Sequence, residues 1–286
     1  MEYRFLRFPE GKTKAVTFSY DDACQSDLRF AELLDRYGMK GPFNVNSLYV
    51  LDEKLDGRLH LDDLNNLISR GHEIALHGHS HKATAAISPT EAVRETLECR
   101  LLLEGALGRI IRGMAYPDSG IRSEHNGNTY ATVKGILESV GVVYSRTAGE
   151  DNDTFALPAD FHAWMPTIHH DNPLAYEYVD KFISLDVDSR YQSGRWPRLF
   201  YVWGHTFEFD RNNNWDHAEE LCRRLSGKED VWYATNIEIY DYIKAYNSLV
   251  ISADSTLIYN PTLYEIWFNI GGRTYSVASG KTFKLD

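Results

Sequence analysis

The stretch Thr17-Phe18-Ser19-Tyr20-Asp21-Asp22-Ala23 decides how the rest of this chain is read. A β-favouring run, Ala15 to Phe18, leads straight into two adjacent carboxylates. A strand that ends this way sets two anions side by side at the mouth of a sheet, where their repulsion calls for a cation or a proton. One carboxylate on a metal and the other free as a base is the functional resolution. A solvated loop or a helix N-cap is the ordinary one. The choice depends on whether distant residues supply further ligands.

Outward from that strand, β-like and helix-like segments alternate. Gln25 to Tyr37 has helical spacing and stops at Gly38; Gly41 to Asn46 reads as a strand; Leu61 to Ser69 is helical and ends before Gly71; His72 to His77 is a third strand. Ser88-Pro89-Thr90-Glu91 opens a helix with a serine cap, proline in the first turn and a glutamate three residues after the cap. Short strands at Gly113–Tyr116, Val142–Ser145, Leu199–Trp203 and Val231–Ala234 alternate with helices at Tyr130–Val140, Leu174–Leu185, Trp215–Leu225 and Ile237–Tyr246. About seven such units predict a parallel sheet, open or closed into a barrel. Residues 147–173 show no period and make a long connection, of a length that is usually functional or structured in ways a sequence does not reveal. From about Leu249 the pattern turns to short β segments with Gly271-Gly272 as a hairpin signal. The expected division is therefore a main domain over 1–248 and a small C-terminal β extension over 249–286.

With 286 residues, 43% of them hydrophobic, the chain can bury a substantial core. The net charge of −11 argues against nucleic acid or an anionic membrane as the main partner. Eighteen tyrosines and six tryptophans suit carbohydrate-stacking surfaces, and suit a large core equally well. Cys24, Cys99 and Cys222 are odd in number and form no close pair, which supports neither a disulfide framework nor a thiolate zinc site. Cys24 lies close enough to the Asp-Asp pair to raise the question of a reactive thiol, although no motif presents it as a nucleophile. No apolar run is long enough to span a bilayer, and the N-terminus carries no signal-peptide core; a cytoplasmic location is the expectation for the chain as given, while a removed export signal would leave the same trace.

The missing ligands are expected after the third strand. His77-Gly78-His79-Ser80-His81 packs three imidazoles into five residues. His77 and His81, four apart, share one face of a helical turn and can converge on one cation, and Asp22 completes a His₂Asp set with open positions for water and substrate. Such an oxygen and nitrogen site suits Zn²⁺, with Co²⁺, Ni²⁺, Fe²⁺ or Mn²⁺ also compatible. His79 is expected to point elsewhere. The ordinary alternative is a surface histidine cluster. Both motifs stand where strands should end, which is where α/β folds gather their active sites.

Tyr20-Asp21-Asp22, then His77 and His81, then Arg112-Gly113-Met114-Ala115-Tyr116-Pro117, then Gly204-His205 resemble, in order, the successive motifs of the polysaccharide deacetylases, the NodB-homology or carbohydrate esterase family 4 group. The resemblance spans about residues 14 to 245. It implies a distorted (β/α) barrel of about seven strands and metal-dependent removal of N-acetyl or O-acetyl groups from an acetylated glycan or oligosaccharide. It also implies Asp21 as general base and Asp22, His77 and His81 as ligands of one divalent metal. By the same resemblance the backbone N–H of Tyr116 stabilises the oxyanion, His205 protonates the leaving amine, and Arg112 holds Asp21 ionised. Tyr116, Trp164 and Trp203 are candidates for sugar-stacking walls, and each suits an ordinary core as well. His169-His170 can reach the site from the long connection, with a second metal there the less favoured reading.

The departures from the family pattern are specific. Ala23 stands where the family usually has glycine, Gly78 where it has Ser or Thr, and Arg112 is followed by Gly-Met-Ala-Tyr-Pro-Asp rather than Pro-Pro-Tyr-Gly. The aspartate that tunes the acid histidine has no clear match; Asp160, Asp171 and Glu208 are the candidates, with Trp164 also in that connection. Two other functions compete with glycan deacetylation: deacylation of a non-sugar amide on the same metal site, and non-catalytic glycan binding. A binder needs neither the base nor the acid. No Gly-x-Ser-x-Gly elbow supports a serine hydrolase.

Overall fold

In the computed structural model, which describes residues 3–118, 121–123, 127–149 and 152–285, the chain opens with β1 (Arg4–Arg7) and β2 (Lys14–Asp21). Then follow α1 (Ser26–Arg36), β3 (Pro42–Val45), α2 (Ser47–Val50), α3 (Leu61–Ser69), β4 (Glu73–Leu76), α4 (Pro89–Leu107), β5 (Gly113–Ala115), α5 (Tyr130–Ser139) and β6 (Tyr144–Arg146). The second half of the main domain carries β7 (Ile168–His169), α6 (Ala175–Ser184), β8 (Arg198–Gly204), α7 (Phe207–Arg211), α8 (Trp215–Leu225), β9 (Val231–Tyr233) and α9 (Asn236–Asn247). The expected alternation holds, and so does the capping signal: the Ser88 hydroxyl accepts the Glu91 N–H, and Gly108 closes α4 in the left-handed conformation.

Seven parallel strands lie in the order β6-β5-β4-β3-β2-β8-β7. β8 pairs along β2 from Lys14 to Tyr20. The opposite edge of β2 is shared, with β9 on Lys14–Val16 and β3 on Tyr20–Asp21. The two ends of the row are drawn together by the segment that leads into β7: Trp164 makes a parallel bridge to Arg146, while Ile168 and His169 pair with β8. The result is a distorted (β/α) barrel. One strand of it lies inside the 147–173 connection, where a two-residue pairing leaves no readable period.

Alternation along β2 divides the core. Val16, Phe18 and Tyr20 face the helices and join Phe30, Leu34 and Phe209 in one buried cluster. Thr17, Ser19 and Asp21 face the barrel interior, which is polar. The Thr17 hydroxyl donates to Asn236 Oδ1 at 2.9 Å, Asn236 donates to the Tyr201 hydroxyl, and Asn44 Nδ2 donates to Ser19 Oγ and Asp21 Oδ1 at 2.8 Å each. A buried polar network of this kind holds only when its members satisfy one another. It fixes Asp21 at one end of the barrel.

The tail adds β10 (Val250–Ile251), β11 (Leu257–Tyr259), β12 (Ile266–Ile270), β13 (Arg273–Val277) and β14 (Thr282–Lys284). They form two antiparallel sheets, β1-β12-β13 and β10-β11-β14. Gly271 and Gly272, both with positive φ, make the two-residue hairpin that the sequence signalled. The first strand of the chain therefore pairs with the tail across the expected boundary at 249. Leu6, Phe8, Tyr242, Ile243, Ile266 and Phe268 share a single buried cluster, which ties the tail to α9. Among the described residues no helix is long and apolar enough to cross a membrane.

Candidate active site

The parallel register brings the chemistry to one rim. Tyr20 pairs with Gly204, Asp21 with Asn44, Val45 with Leu76, Leu76 with Met114, and Ala115 with Arg146. Asp21 and Arg146 end their strands there, and Asp22, His77 and His205 follow theirs immediately. All five thus stand at the carboxyl ends of the barrel strands.

Asp22, His77 and His81 converge, each offering a ligand atom within 4.8 Å of the others, but the segment from His77 to His81 is an irregular turn with positive φ at Gly78 and His81 rather than the helical turn expected. Asp22 Oδ1 lies 3.4 Å from His81 Nε2 and 3.6 Å from His77 Nε2. Ligands held ~2.0–2.1 Å from one tetrahedral ion stand roughly 3.3–3.4 Å apart, so the spacing suits such an ion. His77 is buried, and its Nδ1 lies 3.0 Å from the Ala115 carbonyl. Donation there leaves Nε2 with its lone pair toward Asp22, the orientation that metal-binding histidines adopt. The side-chain amide of Asn46 donates to the His77 carbonyl and steadies the strand end. Burial lowers the pKa of His77 despite the nearby carboxylates, which favours the neutral ring.

The turn around these ligands carries uncommon backbone. Asp22, Ala23 and His81 have φ of 79°, 50° and 58°, a region non-glycine residues rarely visit. The usual glycine at position 23 thus has a physical reason that alanine here must bear as strain. Gly78 has φ +75°, and a Cβ there would stand 3.3 Å from Pro117 Cγ, so glycine fits where a Ser or Thr would crowd.

Asp21 is 2% exposed, and Arg146 Nη2 donates to its Oδ2. Burial by itself would raise the Asp21 pKa; the Arg146 guanidinium, with His77 and His205 behind it, outweighs burial and lowers it. Arg146 also lies 4.6 Å over the Trp203 ring. The expected partner of Asp21 was Arg112, and the structure corrects this. Arg112 is at the other end of β5 and forms a two-pronged pair with Asp241 of α9, at 2.6 and 3.1 Å. One strand length separates it from the rim, so it cannot reach Asp21. An arginine closing the buried strand Val142–Ser145 was the available signal for Arg146, because a buried guanidinium requires an anion.

Across the rim, Glu208 settles which carboxylate faces His205. Its Oε2 is 3.5 Å from His205 Nδ1, and the His205 N–H donates to the same oxygen. Burial would lower the pKa of His205, but Glu208 and then Asp21 and Asp22 raise it overall. Asp160 is engaged by Lys134 and Tyr130, and Asp171 by Asn212 and Asn214. Glu208 also sits 3.2 Å from His169 Nε2 and 3.4 Å from His170 Nε2, and its own pKa is lowered by these imidazoles against the effect of burial.

Two further expectations need correction. The Tyr116 N–H donates to the Arg146 carbonyl, because sheet pairing between β5 and β6 continues one residue past the strand; it is not available to an oxyanion. Pro117 has no N–H, so the next main-chain donor is Asp118. The Tyr116 side chain is buried and donates to the His162 carbonyl. Trp164 is 1% exposed and makes edge contacts with Tyr144, Phe161 and Tyr201. Neither forms a sugar-stacking wall. His79 points away as expected, with Nδ1 2.8 Å from the Ser47 hydroxyl. Cys24 is buried, and that burial pushes its thiol up to about 12, which disfavours the thiolate a nucleophile needs.

Residues 9–135 match a family model described as polysaccharide deacetylase. No curated protein matches the chain. Among solved structures, a putative polysaccharide deacetylase from Mycobacterium smegmatis is similar at TM-score 0.56 and 17% identity, covering 86% of this chain and 96% of that one. An acetyl xylan esterase of family 4 from Clostridium thermocellum, in complex with a cobalt ion, is similar at TM-score 0.50 and 16% identity over 79% and 90% of the two chains. PuuE allantoinase is similar at TM-score 0.59 and 14% identity over 82% and 91%.

Proposed function

We propose, from the match of residues 9–135 to a polysaccharide deacetylase model and from the site geometry, that this chain is a metal-dependent hydrolase that removes acetyl groups, from nitrogen or oxygen, of a carbohydrate. The observation that carries the reading is a buried Asp21–Arg146 ion pair placed beside Asp22, His77 and His81, with His205 on the same rim. Asp22, His77 and His81 are the residues that would hold the ion. Zn²⁺ suits their donors, and cobalt, nickel, iron and manganese are compatible. A divalent cation held there would supply Lewis-acid polarisation of the scissile carbonyl and acidify a water.

The chain's own residues do the rest. Asp21, kept ionised by Arg146, accepts the proton of the attacking water. His205, whose protonated form is favoured by Glu208 and then by Asp21 and Asp22, returns a proton to the departing amine or alcohol, and the amine in particular cannot leave as an anion. Asn44 fixes the rotamer of Asp21 from inside the barrel. The acetyl xylan esterase and the putative polysaccharide deacetylase share the fold and bear names that point to acetylated glycans.

A second reading, hydrolysis of a non-sugar amide by the same residues, draws on two observations. An allantoinase shares the fold, and two of the three aromatics expected to stack on sugar, Tyr116 and Trp164, are buried, while Trp203 is half-buried. Product release from N-acetylated oligosaccharides, O-acetylated xylans and small cyclic or linear amides, measured side by side with added zinc, separates the two. Acetate from a glycan supports the first reading. Turnover of non-sugar amides alone overturns it.

A further inference from the structure

A second cluster of donors lies behind the acid histidine, where the end of β7 meets α7. His170 Nε2 stands 3.3 Å from Asp171 Oδ1 and 3.4 Å from Glu208 Oε2. These separations are those expected of ligands around one tetrahedral ion, and they match the spacing at Asp22, His77 and His81.

The His170 side chain is what sets this cluster apart from a chance gathering of acids. It is fully buried, and neither ring nitrogen has a hydrogen-bond partner among the described residues. The carboxylates are close to Nε2 yet do not complete hydrogen bonds with it, as expected when oxygens surround a common centre rather than lie along an N–H direction. The ring is also packed against aromatics. It lies beside Tyr20, at 5.6 Å and 5°, and Phe209, at 4.2 Å and 29°, which also contact each other at 6.1 Å. A Cβ on Gly204 would stand 2.0 Å from His170 Nδ1, so the glycine of the Gly204-His205 pair makes the room that this ring occupies. His217 Nε2 contacts the His170 carbonyl at 2.7 Å. His169 plays a supporting part: its Nδ1 accepts the Asp171 N–H at 3.2 Å, which leaves the proton on Nε2 for Glu208 at 3.2 Å.

We propose that His170, Asp171 and Glu208 form a second divalent-cation site, with one nitrogen and two oxygen donors, filled by an ion of the zinc or cobalt class. An ion there would relieve the two carboxylates beside His170, would staple the end of β7 to α7 and, by taking Glu208 Oε2, would weaken that oxygen's hold on the His205 proton.

The test is a count of metal. The full chain, stripped with chelator and reloaded with zinc, is passed over a desalting column and its zinc measured per chain, beside Asp171→Asn and His81→Gln. Two equivalents in the wild type and one in each variant support the site. One equivalent in the wild type, lost in His81→Gln and kept in Asp171→Asn, overturns it and leaves the first metal site standing. Two equivalents kept in Asp171→Asn overturn it as well. One equivalent lost in Asp171→Asn and kept in His81→Gln supports it while removing the metal from the proposed catalytic site. Should Asp171→Asn fail to fold, cobalt titration of His81→Gln replaces it: visible absorption of a nitrogen- and oxygen-ligated ion that zinc abolishes supports the site, and no absorption overturns it.

Discussion

At the residue scale the site depends on charges that only partners make tolerable. Asp21 is buried with its pKa lowered, so the stability it contributes is present above the ordinary carboxylate range and is lost as pH falls through its folded value. Arg146→Met leaves that charge unpaired. The expected cost is about 3–5 kcal/mol, read by urea unfolding near neutral pH, together with an acid limb of activity moved to higher pH. An unchanged limb would show that another group holds Asp21. Glu208→Gln tests the other proton. His205 is raised by its partner, so its protonated form persists to higher pH and is lost as pH rises through the raised value. The variant should move the alkaline limb of the rate profile downward, and a fixed limb would exclude Glu208 from the role. Much of this site was legible from residues: the Asp-Asp pair ending a strand and two imidazoles four apart led to Asp22, His77 and His81. Arg146 was not, because the motif places Arg112 at the wrong end of β5 and only strand register reveals which guanidinium reaches the rim. The oxyanion donor failed for a related reason, since a one-residue extension of pairing consumes the Tyr116 N–H.

At the scale of elements, β2 and β8 do most to fix the geometry. Their pairing over seven residues sets Tyr20 beside Gly204 and so brings His205 next to Asp21. Gly204→Ala would place a methyl group 2.0 Å from His170 Nδ1, where backbone on one side and stacked rings on the other leave little freedom. It should destabilise the fold by about 1–3 kcal/mol and lower activity through displacement of the neighbouring His205. A variant with wild-type stability would mean that the ring has another place to go. The alternating strands and helices were readable because their apolar spacing and Gly, Ser and Pro boundaries are local features. β7 was not readable: two residues that close a barrel through long-range pairing carry no period of their own.

For the whole molecule, the barrel and the tail share a core rather than meet at a thin seam. β1 pairs with β12 along four residues, and Tyr242 of α9 accepts the Trp267 N–H at 3.0 Å. The change of pattern near Leu249 announced a β tail but not that the first strand would join it, because strand partners far apart in sequence leave no local mark. Ending the chain at residue 248 should expose Leu6, Tyr242 and Ile243, lower the melting temperature by roughly 10 °C or more, and favour aggregation. A soluble truncated protein with unchanged melting would show that the tail only decorates the barrel. The central claim concerns what the rim does. Its most direct test is acetate release from acetylated oligosaccharides by the zinc-loaded wild type, with chelator-treated protein and Asp21→Asn assayed in parallel. Release that chelator removes and that Asp21→Asn lowers by about 10²–10⁴-fold is expected. Release that survives both treatments would contradict the central claim.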